Sequence, residues 1–118
     1  MRLRSLLSSK IHGARVTAAE IEYIGSIAID VDLMERVDLW PGERVHVWDV
    51  DNGQRFETYA IPADRGSGTV CVNGAAARRV EVGHKLIIAA FSMSDSPITP
   101  RVILVSDDNR YLETLSEE

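Results

Sequence analysis

The sequence lacks what a disulfide scaffold, a metal cluster or a membrane span would need. It has one cysteine, Cys71. No disulfide can close within the chain, which fits a reducing, cytoplasmic setting. Its three histidines, His12, His46 and His84, are scattered, with no His-x-x-x-His pair and no Cys-x-x-Cys. That spacing offers no metal site, and none is expected. No apolar run exceeds Leu86 to Phe91, far short of the ~20 residues of a membrane-spanning helix. The apolar N-terminal stretch breaks at Ser8-Ser9-Lys10, too early for the core of a signal peptide. There is no dinucleotide or Walker-type glycine fingerprint and no Gly-x-Ser-x-Gly elbow. Positive charge is also in deficit, with 13 Lys and Arg against 18 Asp and Glu for a net charge of −5. Proteins that neutralise phosphates show the opposite balance, so no nucleic-acid partner is expected. The acidity is partly local, in Asp107-Asp108 and in the tail 115–118, and an acidic chain can still hold a basic pocket for an anionic substrate.

What is present suits one compact unit. The chain has 118 residues, 45% of them hydrophobic, enough for a single domain spanning 1–118 but not for two cores. Arg44 to Val50 alternates, with Val45, Val47 and Asp49 on one face and His46, Trp48 and Val50 on the other. Asn52-Gly53 then reads as a hairpin turn, both residues tolerating positive φ, leading into a strand from Gln54 to Ile61. Gly68 to Val72, Lys85 to Ser92 and Arg101 to Ser106 read as further strands, and Arg4 to Thr17 as extended. Met93 to Pro100, with two prolines, reads as a loop. Thr17 to Tyr23 suits either helix or strand. Asp32 with Glu35 resembles a capping box opening a short helix that buries Leu33, Val37 and Leu39 and stops at Pro41-Gly42. Ala75 to Arg79 is a second short turn. Many short strands with one or two short helices predict a mainly β protein, a small barrel that leaves few strand edges open.

Several polar residues stand in this mostly apolar context: Lys10, His12, Tyr23, Ser26, Arg55, Thr58, Tyr59 and Asn73. Taken singly, each suits a bland role, as a solvated strand charge, a half-buried aromatic or a turn. Together they carry a resemblance. Glu22-Tyr23-Ile24-Gly25-Ser26-Ile27-Ala28-Ile29-Asp30 resembles the processing site of the bacterial aspartate 1-decarboxylases. Lys10-Ile11-His12, Asn52-Gly53-Gln54-Arg55-Phe56, Thr58-Tyr59-Ala60-Ile61, Arg65-Gly66-Ser67 and Val72-Asn73-Gly74-Ala75-Ala76-Ala77 match in the same order. The similarity runs from about Met1 to Phe91, and nothing specific is recognised beyond Ser92.

The resemblance implies a double-psi β-barrel, a homotetramer with active sites between subunits, and conversion of L-aspartate to β-alanine and CO2 for pantothenate and coenzyme A synthesis. It implies no PLP and no metal. The cofactor is a covalent pyruvoyl group made when the zymogen cleaves itself between Gly25 and Ser26, giving a 1–25 short chain and a 26–118 long chain. Glycine before the serine is expected to admit backbone angles that a side chain forbids. Family roles carry over as follows. Ser26 becomes the pyruvoyl group that forms a Schiff base with the substrate, Thr58 donates to the processing oxyanion, and Tyr59 donates the proton to the former α-carbon. Lys10, Arg55, Thr58, Asn73, Gly74, Ala75 and Ala76 line the substrate site, and His12 and Tyr23 lie near it. Cys71, Trp40 and Trp48 read as core or barrel surface. Whether cleavage needs a maturation factor stays open. The alternative is a double-psi β-barrel binding module that is never processed, which would have no need of Gly25-Ser26 together with Arg55, Thr58 and Tyr59.

Overall fold

The computed structural model describes residues 1–115; the end of the acidic tail, 116–118, lies outside the described residues. Among the described residues nine strands follow one hydrogen-bonded order. They are β1 (Arg4–Arg15), β2 (Ala18–Glu20), β3 (Ser26–Asp30), β4 (Arg44–Asp49), β5 (Arg55–Ala63), β6 (Val70–Asn73), β7 (Lys85–Ser94), β8 (Arg101–Val105) and β9 (Tyr111–Thr114). The order is β2-β6-β3-β5-β4-β7-β1-β8-β9. Three pairs are parallel, β1 with β8, β2 with β6 and β3 with β5, and the others antiparallel. One short helix, α1 (Val31–Arg36), follows β3, and a 3-10 turn, Gly74–Arg79, follows β6.

Alternation decides which face each strand buries. Val45 and Val47 are fully buried on β4, Ile27 and Ile29 on β3, and Val70 and Val72 on β6. Ile11, Ile88 and Ile103 join them from β1, β7 and β8 in a single core. Asp49 is also buried, because its carboxylate accepts from the backbone N–H groups of Asp51 (2.8 Å) and Asn52 (3.3 Å). β1 departs from regular pairing between Leu7 and Ser9 and between His12 and Ala14, with Gly13 at φ +95° at the second irregularity.

Several sequence expectations need correction. The helix cap is Asp30, not Asp32: the Asp30 carboxylate accepts from the N–H of Asp32 (2.9 Å), Gly68 (2.9 Å) and Gly66 (3.1 Å). Asp32 instead sits in the first turn, pairing with Arg36 and Arg65, and Glu35 also takes Arg65. The helix ends at Arg36, ahead of Pro41-Gly42, where Asp38 turns into positive φ. The expected loop at Met93 begins only at Asp95, because Arg4 to Leu7 of β1 pair with Phe91 to Ser94 and keep β7 extended. The turn after β4 is longer than a two-residue hairpin. Gly53 alone takes positive φ there, and its N–H donates to the Asp49 carbonyl. Tyr111–Thr114 forms a strand that the sequence did not announce. Thr17 to Tyr23 resolves into the short strand β2 followed by a turn.

Candidate active site

Ser26 opens β3 and is only 2% exposed. Ile27 and Ile29 face the core, so Ser26 leaves the opposite face of β3, where it is covered and pairs across the ladder with Asn73 of β6. The Asn73 amide, 4% exposed, donates from Nδ2 to Ser26 Oγ at 3.0 Å. The next residue, Gly74, has φ +77°, and a Cβ built there would lie 2.7 Å from Gly25 Cα, 2.9 Å from Gly25 N and 3.1 Å from the Tyr23 carbonyl oxygen. The backbone leading into Ser26 therefore rests directly on Gly74. Gly25 itself does not bear out the expectation placed on it. It lies outside the positive-φ region, and a Cβ on it would meet nothing within 4 Å. The glycine that close approach demands is Gly74.

β5 carries the next residues. Its register with β3 pairs Ile27 with Ala60, so Tyr59 lies beside Ser26 one step earlier on each strand. Arg55, Glu57 and Tyr59 share the outer face, and Tyr59 is 40% exposed. Thr58 falls on the opposite face, paired with Val45, and makes no hydrogen bond to Gly25 among the described residues. Tyr23 is exposed in the turn before Ser26. Ala75 is exposed and Ala76 half-buried on the 3-10 turn that follows Asn73.

The cations sit elsewhere. His12, Ile87, Trp48 and Arg55 form one cross-strand row over β1, β7, β4 and β5. Lys10, Ala89, His46 and Glu57 form the row beside it. The Arg55 guanidinium stacks 4.5 Å from the centre of the Trp48 ring, an arrangement that fixes its planar fork. Burial, followed by the charges of Lys10 and Lys85, holds His12 below the ordinary histidine range, which favours its neutral form near neutral pH. A hollow of ≈ 270 Å³ lies between His46, Trp48, Arg55, Phe56 and Glu57, and Ser26 is not part of its wall. Arg55 precedes Tyr59 by four strand residues, roughly 13 Å along β5. A single chain thus gathers Gly25, Ser26, Tyr59, Asn73 and Gly74, with Arg55 further along β5 and Lys10 and His12 on β1.

Sequence reasoning missed three features. Trp48, read as core or barrel surface, stacks on Arg55. Cys71 Sγ lies 3.3 Å from Asn73 Oδ1, and the i, i+2 spacing on one strand was the available signal. Asp49, Asp51 and His84 come together with their ligand atoms within 4.8 Å of one another, where the sequence suggested no metal-type cluster, because pairing beside β7 brings distant segments into contact. In this group His84 Nδ1 meets Asp49 Oδ2 at 2.7 Å, and Asp51 accepts from the Lys85 N–H at 2.7 Å.

The barrel and its serine-bearing strand define a class that comparison with known proteins makes specific. The fold matches a rationally designed double-psi β-barrel, mkDPBB_sym_86, with a TM-score of 0.51 and 18% identity over 67% of this chain and 92% of that one. This is accordingly a double-psi β-barrel. The sequence profile described as "Aspartate decarboxylase" matches residues 1–112. An aspartate 1-decarboxylase of Acidovorax sp. (strain JS42) is 50% identical over 93% of this chain and 90% of its own length. One from Acetivibrio thermocellus is 47% identical over 97% and 94%, and one from Staphylococcus aureus (strain JH9) 43% identical over 98% and 94%. The chain belongs to the aspartate decarboxylase family, and it is an enzyme. Among the described residues no helix is long and apolar enough to cross a membrane.

Proposed function

We propose that this protein cleaves itself between Gly25 and Ser26 and then converts L-aspartate to β-alanine and CO2 with a pyruvoyl group formed from Ser26. The observation that carries this reading is the buried Ser26 hydroxyl, held by Asn73, at the point where the backbone of Gly25 presses on Gly74. An ordinary turn serine would face solvent. Relatives at 43–50% identity named aspartate 1-decarboxylase support the substrate.

Self-cleavage begins when Ser26 Oγ attacks the Gly25 carbonyl carbon. The C–N bond breaks, the departing nitrogen of residue 26 takes up the proton that Oγ gives up, and an ester joins Gly25 to Oγ. Loss of the Ser26 α-proton then expels the Gly25 carboxylate, leaving dehydroalanine at the head of 26–118. One water hydrolyses that terminus, releasing ammonia and leaving the pyruvoyl group. An N–H aimed at Oγ stabilises the charge that develops as the hydroxyl loses its proton. Thr58 is the proposed donor to the oxyanion on the Gly25 carbonyl, acting from the inner face of β5 where β3 begins.

The surroundings of position 26 fit a small carbonyl group: it is buried, an amide donor is in reach, and Gly74 leaves no side chain in the way. When formed, the pyruvoyl carbonyl supplies the electron sink for decarboxylation. This chain's own residues do the rest. Arg55 binds a carboxylate through a fork held by Trp48, and Lys10 adds a point charge. Tyr59 delivers a proton to the carbon that lost CO2. His12, held neutral, lines the site together with Tyr23. The distance between the Arg55 hollow and Ser26 within one chain supports sites built between subunits of a homotetramer. Residues 1–118 thus form one processed unit, 1–25 and 26–118, needing neither PLP nor metal. It would serve pantothenate and coenzyme A synthesis in the cytoplasm, with cleavage by the chain alone or with an activating partner.

The test is to incubate the cleaved wild-type protein and Ser26→Ala with L-aspartate. β-Alanine should form with wild type alone. No product from fully cleaved wild type would remove aspartate as the substrate, and equal product from Ser26→Ala would remove the pyruvoyl group.

A further inference from the structure

Cys71 precedes Asn73 by two residues on β6, so both side chains leave the same face of the strand. Its Sγ lies 3.3 Å from Asn73 Oδ1, while Asn73 Nδ2 lies 3.0 Å from Ser26 Oγ. A thiol donates one weak hydrogen bond, and an amide oxygen only accepts. The contact therefore favours one of the two orientations of the amide, oxygen toward Cys71 and NH2 toward Ser26. The reverse orientation would leave the NH2 only the weakly accepting sulfur as its partner and present a carbonyl oxygen to Ser26 Oγ. Among the described residues nothing else hydrogen-bonds the Asn73 side chain, so these two partners alone decide how it sits.

The consequence rests on the proposed self-cleavage. Oγ carries negative charge as it gives up its proton, before that charge passes to the Gly25 carbonyl oxygen, and again when it leaves as a carboxylate oxygen in the elimination; an N–H directed at Oγ stabilises that charge, and an amide oxygen would oppose it. We propose that Cys71 is a positioning residue for self-cleavage, its thiol holding the Asn73 amide in the orientation that donates to Ser26 Oγ. Burial first, and then the nearby Glu20 carboxylate, push the Cys71 thiol up from its ordinary range. It stays protonated at neutral pH, the only form that can donate. The cysteine acts here through its S–H, as a hydroxyl in its place would, and not as a nucleophile.

The test follows the full-length precursor made by cell-free synthesis. Intact mass gives the fraction cleaved against time for wild type, Cys71→Ser, Cys71→Ala and Cys71→Val, and the thermal midpoint of each is recorded. Cys71→Ser should cleave at close to the wild-type rate, because its hydroxyl also donates. Cys71→Ala and Cys71→Val, which cannot donate, should slow about three- to tenfold, the range expected for one lost hydrogen bond. Rescue by serine separates positioning from packing, because valine fills the volume and serine does not. Cleavage of both non-donating variants at the wild-type rate would overturn the proposal, as would equal slowing of the serine variant. A wild-type chain that never cleaves would remove the self-cleavage reading itself, an outcome distinct from a variant that merely keeps pace.

Discussion

Gly74→Ala isolates the contact on which self-cleavage is argued to depend. The added Cβ would sit 2.7 Å from Gly25 Cα, where ordinary contact begins at 3.4 Å, so the segment before Ser26 must move by about 0.7 Å or the turn must yield. The substitution also puts a side chain at φ +77°, a strain of about 1–2 kcal/mol for any L-residue. Gly66 separates the two effects, because it has φ +79° and nothing within 4 Å of its own Cβ position. Gly66→Ala should thus lose about 1–2 kcal/mol in a urea titration and still cleave normally. Gly74→Ala should lose at least as much stability and also cleave on the order of a hundredfold more slowly, the penalty typical of reacting atoms displaced by nearly an ångström. Intact mass against time measures the cleavage. If Gly74→Ala cleaves as fast as Gly66→Ala, the packing of Gly25 on Gly74 has no part in the reaction.

Other substitutions probe separate links. Tyr59→Phe should still cleave, because its hydroxyl is assigned to proton delivery, but kcat for aspartate should fall about 10²- to 10⁴-fold; normal turnover would remove that assignment. Asp30→Ala removes the helix cap and two further N–H acceptors, and should cost about 3 kcal/mol near neutral pH in a denaturant titration. Burial pushes the Asp30 carboxyl up, but the N–H groups of Gly68, Asp32 and Gly66 and the charge of Arg110 outweigh it and hold it low. With the folded value below the unfolded one, its stabilisation is complete above the ordinary aspartate range and is lost as pH falls through the folded value. The gap between wild type and Asp30→Ala should close in acid. His84 runs the other way. Its contact with Asp49 raises it above the ordinary histidine range, so its contribution is present in mild acid and lost as pH rises through the folded value. The difference in Tm between wild type and His84→Gln should shrink from about pH 5.5 to pH 8.5, and a constant difference would mean the charged pair contributes nothing.

The alternating strands were legible because each buries one face: Val45 and Val47 against His46 and Trp48 could be read residue by residue. The helix was legible from Leu33, but its cap was not, because Asp30 is fixed by N–H groups of Gly66 and Gly68, more than thirty positions away. Tyr111–Thr114 was missed because it is mostly exposed and lacks the alternation that marks a half-buried strand. The candidate site was legible only through the resemblance. No local pattern says that Asn73 meets Ser26, since the β3–β6 register joins positions 47 apart. The expected conformational role of Gly25 falls to Gly74 for a related reason. Close packing of two backbone segments can be met by a glycine on either one, and here Gly74 carries it.

The most direct test of the central claim is the intact mass of the protein after prolonged warm incubation. The account predicts two species, Met1–Gly25 and a 26–118 chain lighter by one ammonia than its serine form. A single uncleaved mass, both for the purified protein and in lysate of the native host, would contradict it and leave a barrel that is never processed.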